Sequence, residues 1–126
     1  MKPKVLIVED VFLIGWAIEA TIRSFGYEST CIATSVAEAH AILNTDVIDA
    51  AILDIDLDGE LSIGIADRLA GGRIPFAFVT GYESPALLPD HLRGYPRIGK
   101  PIHREELRRT LASLLATAPR PTAPSH

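Results

Sequence analysis

The chain has 126 residues, enough for one domain with a hydrophobic core of its own. Hydrophobic residues make up 48 % and charged residues 22 %, a balance that excludes a disordered chain. A net charge of −4 with scattered lysines and arginines argues against a nucleic-acid surface, and no apolar stretch reaches the roughly 20 residues that span a bilayer. The only cysteine, Cys31, has no intramolecular disulfide partner, which fits a reducing compartment. The N-terminal apolar run is too short for a signal peptide and leads straight into acids. The expectation is a cytoplasmic protein without a membrane partner.

Val5-Leu6-Ile7-Val8 is a continuous apolar run dominated by β-branched residues and ending in Glu9-Asp10, which predicts a strand buried on both faces. Ile14, Ile18, Ile22 and Phe25 recur at helical spacing, and Gly26 follows as a cap. Tyr27 to Ala33 reads as a second strand. Ser35 and Glu38 have capping-box spacing and open a helix to about Leu43. Val47 to Leu53 is a third strand, ending at Asp54-Ile55-Asp56. A helix carrying Ile65, Ala66 and Leu69 stops at Gly71-Gly72, and Phe76 to Val79 is a fourth strand ending at Thr80-Gly81. Pro85 and Pro89 break the stretch from Glu83 to Arg93, so a short or mobile helix is expected there. Tyr95 to Gly99 is a weak fifth strand before Lys100-Pro101, and Leu107, Leu111, Leu114 and Leu115 mark the last helix. Residues 118–126, rich in proline, are expected to form a disordered tail after one domain over 1–117.

Strands alternating with helices predict a doubly wound parallel five-stranded sheet, a flavodoxin-like (βα)5 fold with strand order 2-1-3-4-5. In such sheets ligands sit beyond the carboxyl ends of the strands. Four strand ends carry Glu9-Asp10, Asp54 with Asp56, Thr80 and Lys100. Carboxylates brought that close repel, and Mg²⁺ with an ammonium group would relieve them.

This set, Glu9, Asp10, Asp54, Thr80 and Lys100-Pro101, resembles the receiver domain of two-component response regulators over residues 4 to about 117. Pro75-Phe76-Ala77-Phe78-Val79-Thr80-Gly81-Tyr82 resembles the signature of the "FAT GUY" subgroup, with Val79 where alanine is usual. The resemblance implies that Asp54 accepts a phosphoryl group from a histidine kinase or a histidine phosphotransfer protein. It implies that Asp10 and Asp54 hold Mg²⁺, with the Asp56 backbone carbonyl, and that Glu9 assists through water. Thr80 and the Gly81 amide would bond phosphoryl oxygens, and Lys100, followed by a cis proline, would pair with another. The chain would thus be a phosphoacceptor rather than a turnover enzyme. As a stand-alone receiver it would act as a regulator through protein contact, a relay or a phosphate sink.

Two positions depart from the family pattern. Arg97 stands where a switch aromatic is usual, leaving Tyr82 as either its substitute or a packing residue. Asp58 stands where a proline is common. The run from Asp54 to Gly59 matches the opening of an EF-hand loop, but the twelfth position is Ile65 rather than glutamate. The same run resembles the first motif of haloacid-dehalogenase-type phosphatases, an enzyme alternative, and a pseudo-receiver that is not phosphorylated is the other. His40, His91, His103 and His126 show no ligand spacing, and Trp16 is expected to be partly buried packing on the first helix.

Overall fold

The computed structural model describes residues 3–81 and 84–117. Five parallel strands form one sheet: β1 (Lys4–Val8), β2 (Ser29–Ala33), β3 (Ala50–Asp54), β6 (Phe76–Thr80) and β7 (Arg97–Gly99). Their spatial order is β2-β1-β3-β6-β7, the flavodoxin-like order expected from the sequence. Four α-helices cover it: α1 (Phe12–Ser24), α2 (Val36–Thr45), α3 (Ile63–Gly71) and α4 (Arg104–Thr117). A two-stranded hairpin, β4 (Asp56–Leu57) with β5 (Glu60–Leu61), lies between β3 and α3. No helix among the described residues is long and apolar enough to cross a membrane. The proposed tail, 118–126, lies outside the described residues.

Alternation along each strand splits the core in two. Val5, Ile7, Ala50, Ile52, Ala77, Val79 and Ile98 meet Ile18 and Ile22 of α1 and Leu107, Leu111 and Leu114 of α4. Leu6, Val8, Ala51, Leu53, Phe76 and Phe78 meet Ala39 of α2 and Ile65, Ala66 and Leu69 of α3. Because helices cover both faces, the strands read as continuous apolar runs rather than as alternating ones. Truncating a fully buried leucine such as Leu111 to alanine costs about 2–5 kcal/mol in sites of this kind.

The prolines replace the helix expected between Glu83 and Arg93 with two 3₁₀ turns, Ser84–Leu87 and Asp90–Leu92. Proline lacks the amide an α-helix needs and disfavours helical backbone in the residue before it. Leu88 and Leu92 still fill the core there. Other boundaries also move. The third strand begins at Ala50 rather than Val47, whose side chain is 75 % exposed, while the Asp49 amide donates to the Lys4 carbonyl at 2.9 Å. The second and fifth strands shorten to Ser29–Ala33 and Arg97–Gly99.

The first helix corrects two expectations. Ile14 and Trp16 are exposed, Trp16 at 59 %. The buried face is set by Gly15, Ile18 and Ile22, not by the isoleucine ladder that starts at Ile14. Gly15 fixes this rotation. A β-carbon there would sit 3.1 Å from Ile32 Cγ2 and 3.6 Å from Glu9 Cβ, so the helix approaches the sheet through its smallest residue. Trp16, one position further round, turns outward.

Candidate functional site

Each acid of the site is placed by the end of a strand. β1 ends at Val8, paired in register with Leu53 of β3, so Glu9 and Asp10 emerge beside Asp54. The Glu9 amide donates to the Ala33 carbonyl at 3.0 Å, prolonging the β1–β2 ladder by one bond. Asp54 closes β3 opposite Val79, which brings Thr80 alongside it. The Lys100 amide donates to the Thr80 carbonyl at 3.0 Å, carrying the β6–β7 ladder to the lysine. The Lys100–Pro101 peptide is cis.

Glu9, Asp54 and Thr80 are buried, at 2 %, 4 % and 7 % exposure. Carboxylate oxygens of Glu9, Asp10 and Asp54 lie within 4.8 Å of one another. Lys100 Nζ donates to Asp54 Oδ2 at 2.7 Å. At an effective dielectric of about 20, two ionised carboxylates at such a separation repel by about 3 kcal/mol. One ammonium cannot offset three acids. The Glu9 carboxyl is accordingly pushed up to about 7, first by burial, then by the Asp54 charge and its contact with Asp10; the Val11 amide and Lys100 pull the other way. Burial draws Lys100 down, but its hydrogen bond to Asp54 and the charges of Asp54, Glu9 and Asp10 outweigh this and hold it above its ordinary value.

The donor set suits a small hard cation. Its ligand atoms are carboxylate oxygens, they converge, and a divalent cation would relieve the crowding that raises the Glu9 carboxyl. The Glu9 carboxylate also accepts from the Val11 amide at 3.1 Å, at the start of α1, and this fixes its orientation. Thus Glu9, Asp10, Asp54, Thr80 and Lys100 come together as the sequence predicts. Gly81 follows Thr80 directly. Tyr82 lies outside the described residues.

Asp56 is arranged differently from the other acids. Its side chain is exposed and accepts from the Gly59 amide at 2.8 Å, bracing the hairpin. Asp58 and Gly59 at the tip both have positive φ, 55° and 89°, as a two-residue hairpin of type I′ requires. The Asp-Gly pair flanked by Leu57 and Glu60 was the signal for this turn. Asp58 is therefore an exposed turn residue, and Arg97 is exposed on β7. His40 and His91 are engaged by Arg68 and Asp67 at 3.1 and 2.7 Å.

Ser62 is a residue that periodicity does not single out. It is fully buried, and its hydroxyl donates to the backbone carbonyl of Asp54 at 2.6 Å. A cleft of about 470 Å³ opens elsewhere, lined by Leu43, Val47, Ile48, Arg68, Leu69 and Ile74 among others and by none of Glu9, Asp10 and Asp54.

No protein-family model matches this sequence, and no curated protein does. Solved structures do match. SdrG from Sphingomonas melonis Fr1 is 35 % identical, over 90 % of this chain and 97 % of that one, with a TM-score of 0.78. A response regulator receiver protein from Burkholderia phymatum is 30 % identical, over 94 % of this chain and all of that one, with a TM-score of 0.79. A CheY-like receiver domain protein from Methanospirillum hungatei JF-1, 22 % identical with a TM-score of 0.79, speaks for the fold alone. With its sheet order and its gathered acids, threonine and lysine, this chain belongs to the response regulator receiver family.

Proposed function

We propose that the protein is a phosphorylation-controlled switch in which Asp54 accepts a phosphoryl group from a histidine kinase or histidine phosphotransfer protein. The observation that carries this reading is the buried Asp54 carboxylate, bonded to Lys100 at 2.7 Å and flanked by Glu9 and Asp10. An Asp54 oxygen attacks phosphorus as the phosphorus–nitrogen bond to imidazole breaks, and the departing imidazole takes up a proton. Lys100, already against Asp54, stays beside the new phosphoryl oxygens. The Thr80 hydroxyl and the Gly81 amide, at the end of the adjacent strand, donate to others. Asp10 and Asp54 would hold Mg²⁺, aided by the Asp56 carbonyl and by Glu9 through water, and the ion would draw off charge that builds on the phosphoryl oxygens. The site thus takes one group per cycle rather than turning over a substrate. The segment from Phe76 to Gly81 supports membership of the FAT GUY subgroup.

The start of α1 supports a protein phosphodonor. Val11, Phe12, Leu13, Ile14 and Trp16 are all exposed, an unusual density of exposed apolar side chains just after Asp10, and exposed apolar residues gathered in one region mark protein contacts. Output by contact with a further protein is consistent with the charge a phosphoryl group adds.

The test is incubation with Mg²⁺ and phosphoramidate, followed by intact-mass measurement. One phosphoryl adduct, labile to base and missing in Asp54→Asn, is expected. No adduct on the wild-type chain would falsify the reading. Replacing Leu13 and Trp16 by serine should slow transfer from a cognate histidine donor at least about tenfold, as loss of central interface anchors does, and leave phosphoramidate labelling unchanged.

A further inference from the structure

Ser62 stands at the N-cap of α3, where serine ordinarily accepts a hydrogen bond from an amide of the first turn. It makes no such bond. Ser35, in the same place on α2, does accept from the Glu38 amide, at 3.0 Å. The Ser62 hydroxyl instead turns back. It lies 2.6 Å from the Asp54 carbonyl oxygen and 3.3 Å from that of Ile55, and the Ser62 amide donates to the Ile55 carbonyl at 2.9 Å. One residue, eight positions downstream, thus holds both carbonyls at the point where the chain leaves β3.

What lies between is stiff as well. The hairpin is closed by its left-handed Asp58 and Gly59 and by the Asp56–Gly59 bond. Ile55, before it, and Leu57, within it, are buried. Ser62 is therefore the clasp between this closed loop and the strand end that carries the Asp54 carboxylate. A site whose oxygens must converge within a few ångströms depends on such support, because a small rotation of the Asp54 peptide would turn its side chain away from Asp10 and Glu9.

We infer that Ser62 is a positioning residue of the acidic site: its hydroxyl fixes the Asp54 peptide and so sets the affinity of the Glu9–Asp10–Asp54 cluster for a divalent cation. This rests on the reading of that cluster as a Mg²⁺ site. The experiment is a Mg²⁺ titration of the full chain, followed by amide NMR shifts of residues 9–11 and 54–60, with thermal stability measured in parallel. Ser62→Ala is expected to raise the half-saturating Mg²⁺ concentration about tenfold, the usual scale for removing a group that orients a ligand. Leu114→Ala, which weakens the core on the far face through α4, should lose stability and keep the wild-type midpoint. A Ser62→Ala midpoint equal to wild type overturns the inference alone. A wild-type chain that shows no Mg²⁺ response overturns the reading of the site and the inference with it. If Ser62→Ala does not fold, Ser62→Cys decides: its volume is similar and its donor weaker, so a raised midpoint supports the clasp and an unchanged one removes it.

Discussion

The two ends of the sheet each gather acids around a lysine, and they do so to opposite effect. At the amino end Lys4 is matched. Its ammonium pairs with Asp46, its amide donates to Asp49 at 2.7 Å, and Asp46 also accepts from Thr45 at 2.7 Å. Hydrogen bonding raises the Lys4 pKa and lowers that of Asp46, each in the direction that favours the pair. At the carboxyl end three carboxylates share Lys100, and burial holds the Glu9 carboxyl far above its ordinary range. One cluster is a satisfied clip between β1 and the loop before β3. The other keeps excess charge where the fold would be more comfortable without it. A crowded acid cluster with one carboxyl pushed far up fits the proposed site for a cation and a phosphoryl group.

The contrast can be broken most directly at the lysines. Lys100→Ala should slow phosphoramidate labelling by about 10²-fold, since it removes a donor aimed at developing charge. Lys4→Ala should leave the rate unchanged, and equal effects at the two positions would end the distinction. Mg²⁺ comes next. At about a hundred times its dissociation constant it should add about 2.7 kcal/mol, roughly 10 °C in melting temperature for a domain of this size. Calorimetry should show the shift in wild type and in Asp46→Asn, and not in Asp10→Asn.

Without metal, the sign itself should invert. At pH 8, Asp10→Asn should stabilise the chain by about 1 kcal/mol by removing a repulsive charge, whereas Asp46→Asn should destabilise it. Denaturant melts of both variants read this in one series. Backbone strain gives a comparison of similar size. Arg73 adopts φ 59° just beyond α3, at the position of the helix-terminal motif where glycine is usual, with the Ile74 amide bonded to the Leu69 carbonyl at 2.9 Å. Arg73→Gly should stabilise by about 1 kcal/mol. Asp58→Gly should gain less, because aspartate tolerates left-handed backbone better.

The last comparison is pH dependence without metal. The folded pKa of Asp46 is depressed, so its contribution is present above its unfolded value and is lost as acid protonates it. The folded pKa of Glu9 is raised, so its burden is absent in acid and grows as pH rises from about 4.5 towards 7. Asp46→Asn should flatten the acid limb of a stability–pH curve, and Glu9→Gln the neutral limb. Salt should erase the first more readily than the second, because the amino-end pair is the more exposed.

Much of this was legible in the residues. Buried strands announce themselves as apolar runs, so the five strands, their order and the convergence of Glu9, Asp10, Asp54, Thr80 and Lys100 could be read from pattern and chain-crossing rules. The helix caps at Ser35 and Gly26 were equally local. Trp16 was misjudged because residue spacing does not say how closely a helix approaches its sheet; the contact of Gly15 with Ile32 decides that. The hairpin at Asp58-Gly59 is coded only by its turn pair, because strands of two residues each are too short to show alternation.

The sequence by itself determined which groups reach the carboxyl end of the sheet, because strand polarity and alternation are properties of the chain. Only the tertiary structure decided that these acids are left with too little positive charge, while Lys4 at the other end is matched. It also decided that Ser62 serves Asp54 instead of its own helix. A hydroxyl can bond either way, and here the Ser62 amide's bond to the Ile55 carbonyl holds the side chain next to the Asp54 carbonyl.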